Sequence, residues 1–191
     1  MEFDSKRRCS WVGLEQVYID YHDKEWGNPL HIDQQLFELL VLEGAQAGLS
    51  WITILKKRDN YRRVFDGFYP EKIVKYDTVK TNRIFQDKGI VRNKLKIMSV
   101  ISNAKAFLKV KEDYGSFDQY IWQFVSNKPI KNCWKSVKEL PVRTKESELM
   151  SKDLKKRGFK FVGPIICYSF MQASGMVNDH ICSCFRYNEI D

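Results

Sequence analysis

From Asp33 to Gly48 the chain reads DQQLFELLVLEGAQAG, in which Leu36, Phe37, Leu40 and Val41 recur three and four residues apart. That rhythm predicts an amphipathic helix opened by Asp33 and closed by Gly48. Ser50 then reads as the N-cap of one continuous helix, WITILKKRDNYRRVF. Pro70 suits a first helical position in PEKIVKY, and Thr78 is placed to cap VKTNRIFQDKG. A longer helix is expected from about Asn93 through KLKIMSVISNAKAFLKVKEDYG, and Ser116 opens FDQYIWQFV. Helix resumes in ESELMSKDLKKRG, and a last apolar helix, PIICYSFMQASG, ends at Gly175. No segment alternates with period two, so the expected class is all-α, with eight or more short helices. The irregular stretch from about Lys128 to Pro141 reads as a loop tying two helical lobes together, and residues 1–191 as a single domain.

Composition supports a packed protein with a polyanionic partner. Of 191 residues, 43% are hydrophobic and 14% aromatic, enough for a real core and against disorder. Lys and Arg number 32 against 24 acids, a net charge of +8 that favours nucleic acid. Charges interrupt every apolar run, so no membrane span is expected. The start, MEFDSKRRCSW, has no apolar signal core, and five cysteines in no disulfide-like spacing fit a cytoplasmic protein with reduced thiols.

Three constellations carry chemistry. Near the C-terminus, MVNDHICSCF places His180 and Cys184 at i and i+4, which on a helix share a face and can supply half of a tetrahedral zinc site. The same pair can also be an accident of an amphipathic tail. Cys9 and His22 are the sensible partners from the other end of the chain. Four protein ligands would leave no open position, so such a site would be structural and would staple the two termini. His31 is expected in a loop, Cys133 and Cys167 read as small apolar residues, and Cys182 points off the ligand face.

The second constellation is LKKRGFKFVGPIICYSF, from Leu154 to Phe170. A helix ends at Gly158, the chain turns, and a new helix starts at Pro164, leaving N–H groups near Gly163 unpaired among Lys155, Lys156, Arg157 and Lys160. Such a helix start is a natural phosphate site, though a solvated cationic helix end looks the same in sequence. DKGIVRNKLK, from Asp87 to Lys96, is a weaker turn of similar charge.

The third is LEGAQAGLSW, where Glu43 lies in an apolar stretch. It either faces solvent, as lone helical glutamates usually do, or lines a pocket with Trp11, Tyr18, Tyr21, Trp26 and Trp51. Aromatic faces and a carboxylate together suit a flat cation such as a methylated nucleobase, which on duplex DNA must be flipped out to be reached.

The runs CSWV, DYHDKEWG, AGLSWITILKKR and KKRGFKFVG, together with VNDH and Cys184, resemble the DNA-3-methyladenine glycosylase I family of the helix-hairpin-helix superfamily, from Cys9 to the C-terminus. The resemblance implies structural zinc on Cys9, His22, His180 and Cys184. It also implies a base pocket of Glu43, Tyr21, Trp51 and Trp11, with Tyr18 and Trp26 nearby, in which Glu43 is the key catalytic and recognition residue. Leu49 falls where the family presents an apolar side chain to the DNA gap, and FKFVG matches the superfamily's phosphate-binding turn, bringing Lys160 and Gly163 to DNA. Asn178 stands where wider relatives carry a catalytic Asp, with Asp179 beside it. Pro164 and Ile165 stand where lyases carry a Lys, and Ala45 where Gln is common. The implied activity is hydrolysis of 3-methyladenine from alkylated double-stranded DNA by a monomer without lyase activity, releasing the free base. The rival readings are a non-catalytic helix-hairpin-helix DNA-binding module and a zinc hydrolase.

Overall fold

A computed structural model describes residues 6–190, so the very start of the N-terminal stretch discussed above lies outside the described residues. The chain is predominantly helical: α1 (Gln16–Lys24), α2 (Asp33–Gln46), α3 (Trp51–Leu55), α4 (Arg58–Val64), α5 (Pro70–Ile73), α6 (Thr78–Gln86), α7 (Lys94–Tyr114), α8 (Phe117–Trp122), α9 (Lys145–Lys156) and α10 (Pro164–Ala173). None of its helices is long and apolar enough to cross a membrane among the described residues.

α2 departs most from its sequence pattern. An amphipathic helix was expected, yet every residue from Leu36 to Ala45 is buried, because α3, α7, α8 and α10 surround it. Two carboxylates, Glu38 and Glu43, therefore go inside with it. The helix expected after Ser50 is broken at Lys56–Lys57 into α3 and α4. The break re-aims Arg58 and Arg62 so that both guanidinium groups reach Glu38, at 2.7 and 2.9 Å. Asp77 rather than Thr78 caps α6, its carboxylate accepting the Lys80 N–H at 2.7 Å. Asn93 and Ser116 cap α7 and α8 as the pattern predicts.

Two short strands qualify the all-α reading. β1 (Ile130–Lys131) and β2 (Val177–Asn178) pair in parallel, Ile130 opposite Val177. Two residues each are too few for a period-two pattern to show in sequence. The pairing seats the loop from 128 to 141 against the chain leaving α10. The tail beyond is not helical either: His180 and Cys184 sit on an irregular turn followed by a short 3-10 turn, Phe185–Asn188.

At Gly175, φ is +71°, and an added Cβ would lie 2.3 Å from the carbonyl carbon of Asn28. Only glycine allows the end of α10 to meet the backbone that follows α1. Gly27 N–H to the Gln172 carbonyl (3.2 Å) and Leu30 N–H to the Ser174 carbonyl (3.0 Å) close that contact.

Candidate functional site

α1 presents neighbouring residues to two different places. His22 turns toward the tail, where Cys9, His22, His180 and Cys184 converge, all buried, with their ligand atoms within 4.8 Å of one another. Cys184 Sγ lies 3.4 Å from His22 Nε2 and 3.5 Å from His180 Nδ1, and Cys9 Sγ lies 3.7 Å from His180 Nδ1. A tetrahedron drawn with zinc–ligand bond lengths has edges of roughly 3.3–3.8 Å, so these spacings are those of a coordination shell. The remaining ring nitrogens are already engaged. His22 Nδ1 meets Asp23 Oδ1 at 2.8 Å, and His180 Nε2 meets the Trp26 carbonyl at 3.2 Å. Asp23 is held in turn by a two-pronged Arg8. Each imidazole is thus oriented with one nitrogen left for the cluster, as metal-ligating histidines are. The Cys184 thiol is pulled far down because Cys9 donates to it and both imidazoles face it, while Cys9 is pushed up as it keeps the shared proton. A proton held between two thiols is one a metal ion would replace. The donor set and spacing fit a metal.

Tyr21 turns the other way, into a cavity of about 180 Å³. Its lining brings together all six residues expected from the sequence, Trp11, Tyr18, Tyr21, Trp26, Glu43 and Trp51, and adds Gln46, Leu140, Ser169 and Gln172. Trp11 packs on Tyr18 at 5.1 Å and on Trp26 at 5.0 Å, and Tyr21 on Trp51 at 5.4 Å. The edge of Trp26 also meets His180 at 4.5 Å, so one indole is shared between cavity and cluster.

Glu43 is 4% exposed, and no hydrogen bond or ion pair reaches its carboxylate among the described residues. Burial alone pushes its pKa up to about 8. The Trp51 indole N–H, in the same wall, is buried without an acceptor among the described residues. A cavity with an unpaired carboxyl, an unpaired donor and five aromatic side chains is shaped for a flat polar ring.

The surrounding frame places the remaining residues singled out in the sequence. After α2, Gly48 takes φ +78° and lifts Leu49 onto a loop, where it is 42% exposed. Lys96 reaches under this loop, donating to the carbonyls of Ala45 (2.8 Å) and Ala47 (2.6 Å). The weak basic turn that ends at Lys96 therefore spends that lysine inside, as a clamp for the end of α2. The hairpin between α9 and α10 is held by Asn103 of α7, which accepts from Lys160 N–H at 2.7 Å and donates to its carbonyl at 3.1 Å. Lys160 stays exposed, and Gly163 caps α10. Gly44, next to Glu43, lets the hairpin approach: an added Cβ would lie 3.1 Å from that of Phe161.

Three other residues differ from their sequence reading or sharpen it. Cys133 is not a small buried residue but exposed, its Sγ 2.7 Å from that of Cys182. His31 lies in a loop as expected, stacked on Trp122 and bonded to Asp118. Asn178 faces away from the cavity, its amide donating to the carbonyls of Tyr187 and Ile190. Gln172 and Ser169 gave no sequence signal, being single polar residues in an apolar helix.

The methyladenine glycosylase family matches residues 11–187 of this chain. A DNA-3-methyladenine glycosylase of Haemophilus influenzae is 48% identical, over 93% of this chain and 96% of its own. A crystal structure of 3-methyladenine DNA glycosylase I superposes with a TM-score of 0.92 at 49% identity, covering 94% of this chain and 98% of that one. A tyrosine-to-phenylalanine variant of another such enzyme, solved in complex with 3-methyladenine, superposes at 0.90 with 35% identity, covering 93% and 96%.

Proposed function

We infer, from the premise that this chain belongs to the methyladenine glycosylase family, that it is a DNA repair glycosylase that removes 3-methyladenine from alkylated DNA. The carrying observation is the cavity: a buried, unpaired Glu43 among Trp11, Tyr21 and Trp51. A non-catalytic DNA-binding module has no use for such a cavity, and a zinc hydrolase would need a metal with an open position.

Methylation at N3 makes the nucleotide's adenine cationic and hence a ready leaving group. We assign Glu43 to its polar edge and the aromatic rings to its faces, with the base flipped from the duplex to reach them. In the free protein Glu43 carries a proton over much of the range below about pH 8. A cationic ring favours the ionised carboxylate, so binding draws that proton off and strengthens as pH rises toward 8. A neutral adenine offers no such gain, which is the basis of selection. Hydrolysis then runs through a cationic sugar as water attacks, with Pro164 and Ile165 offering no amine for a Schiff base, so the enzyme is monofunctional.

Leu49 fills the space the flipped nucleotide leaves, while Lys160 and the α10 N-terminus at Gly163 hold a phosphate. Zn²⁺ on Cys9, His22, His180 and Cys184 would supply no reaction chemistry; four ligands make it a clamp between the segment before α1 and the tail. The whole is one glycosylase domain of two helical lobes, working as a monomer in the cytoplasm, where its thiols stay reduced. Chromatography of bases released from methylated duplex DNA tests the reading. Free 3-methyladenine is expected; a protein that binds such DNA and releases no base would overturn it.

A further inference from the structure

Asp179 is 1% exposed, yet it does not lie with the metal-binding group beside it. Its carboxylate accepts four hydrogen bonds from two parts of the chain, the loop from 128 to 141 and α10. Oδ1 takes the Asn132 amide and the Trp134 indole N–H, both at 2.7 Å, and Oδ2 takes the Tyr168 hydroxyl at 2.6 Å and Gln172 Nε2 at 2.8 Å. Three of those donors do not line the cavity, but Gln172 does.

The consequence lies in the orientation of one amide. A glutamine side chain has a donor end and an acceptor end that can exchange places by a half-turn. With a carboxylate oxygen at 2.8 Å that already accepts from Tyr168, only the arrangement that turns the NH₂ group to Asp179 is favourable; the reverse sets oxygen against oxygen. Gln172 Oε1 is then the free end. No hydrogen bond reaches it among the described residues, and it is not sealed inside the protein. Donation to a carboxylate oxygen also polarises the amide and makes that oxygen a better acceptor.

We propose that Gln172 reads the base, its carbonyl oxygen accepting the exocyclic amine of the flipped purine, and that Asp179 is the positioning residue that keeps this oxygen turned to the cavity. The proposal rests on the reading that the cavity holds the base. It adds a second, uncharged acceptor to Glu43 and a reason for a buried carboxylate that the reaction itself does not use. The alternation at β2 and beyond makes this possible: Asn178 faces Tyr187 and Ile190, so Asp179 faces α10.

The test compares binding of free 3-methyladenine with that of 3-methylhypoxanthine, which carries a carbonyl in place of the amine, by titration calorimetry. Wild type is expected to prefer the amine, and Gln172→Ala to reduce that preference roughly three- to tenfold, the range for one hydrogen bond to an uncharged group. Asp179→Asn is expected to reduce it in the same direction, with no further loss in the double variant, since both act through one oxygen. Side-chain amide NMR of the wild type gives a readout that does not depend on the folding of Asp179→Asn: a slowly exchanging Gln172 NH₂ supports the positioning role, and a freely exchanging one overturns it. An unchanged preference in Gln172→Ala overturns the base contact, as does slower base release from DNA with base affinity intact, which would assign the oxygen to the attacking water. Wild-type protein that binds neither base overturns the underlying reading as well.

Discussion

The Cys/His cluster and the aromatic cavity share Trp26 and the helix α1, but one is saturated and the other is not. In the cluster each ring nitrogen and each sulfur has a partner, and every residue is sealed from solvent. In the cavity Glu43 and the Trp51 N–H are buried too, but unpaired among the described residues. The same helix supplies an internal control, since Glu38, one and a half turns before Glu43, meets two arginines. Burial without a partner costs stability, and here it occurs where a ligand would supply the missing partners. Saturation marks structure; deliberate incompleteness marks function.

The largest expected effect comes from breaking the saturated side. Cys184→Ala, or stripping metal with a chelator, should lower stability by more than about 3 kcal/mol, because the remaining ligands are left buried without their partner. Thermal melts with and without chelator measure it, and unchanged melting would remove the cluster's role as a clamp. The opposite sign is expected in the cavity. Glu43→Gln removes a group whose folded pKa lies above its ordinary 4.5, so the wild type loses stability as pH rises from 4.5 to about 8 and the variant does not. At pH 8 the variant should be more stable by on the order of 3 kcal/mol, while its affinity for 3-methyladenine falls by about 2 kcal/mol. Denaturation at a series of pH values, with base titrations alongside, checks both signs together.

Smaller changes sharpen the division between holding a base and holding DNA. Leu49→Ala should slow base release from duplex DNA by roughly tenfold, the worth of about one buried side chain's contact, with free-base affinity unchanged. Equal slowing on single-stranded substrate would deny Leu49 a role in the duplex gap. Lys160→Ala should have the least effect, lowering DNA affinity alike for all sequences and reducing the salt slope by about one contact. A salt titration of binding shows whether a phosphate contact has gone.

Helix positions were widely legible, because caps and apolar spacing are local. Asn93, Ser116 and Pro70 do what their types favour. The break between α3 and α4 was not legible, since the pairing it permits, Arg58 with Glu38, spans twenty residues. Nor were β1 and β2, whose pairing joins residues almost fifty apart. Among site residues, Trp11, Tyr18, Tyr21, Trp26, Glu43 and Trp51 could be grouped in advance because a carboxylate in an apolar run asks for a partner and aromatic rings with a carboxylate suit one kind of ligand. Gln172 and Ser169 could not, because one polar residue on an apolar helix is ordinary until its neighbours are known.

By itself, then, the sequence determined the inventory: which side chains could ligate a metal, stack on a ring or carry charge, and which segments coil into helices. Tertiary structure decided which of two chemically equal groups is finished and which is left open. Glu38 and Glu43 have the same side chain in the same helix, and only the arrival of Arg58 and Arg62 from α4 separates them. Likewise Asn178 and Asp179 are adjacent, and only the surfaces packed on either side of the chain turn one toward the tail and the other toward α10. The physical reason is that desolvation and hydrogen bonding depend on what lies within about 3 Å, and those neighbours come from distant parts of the chain.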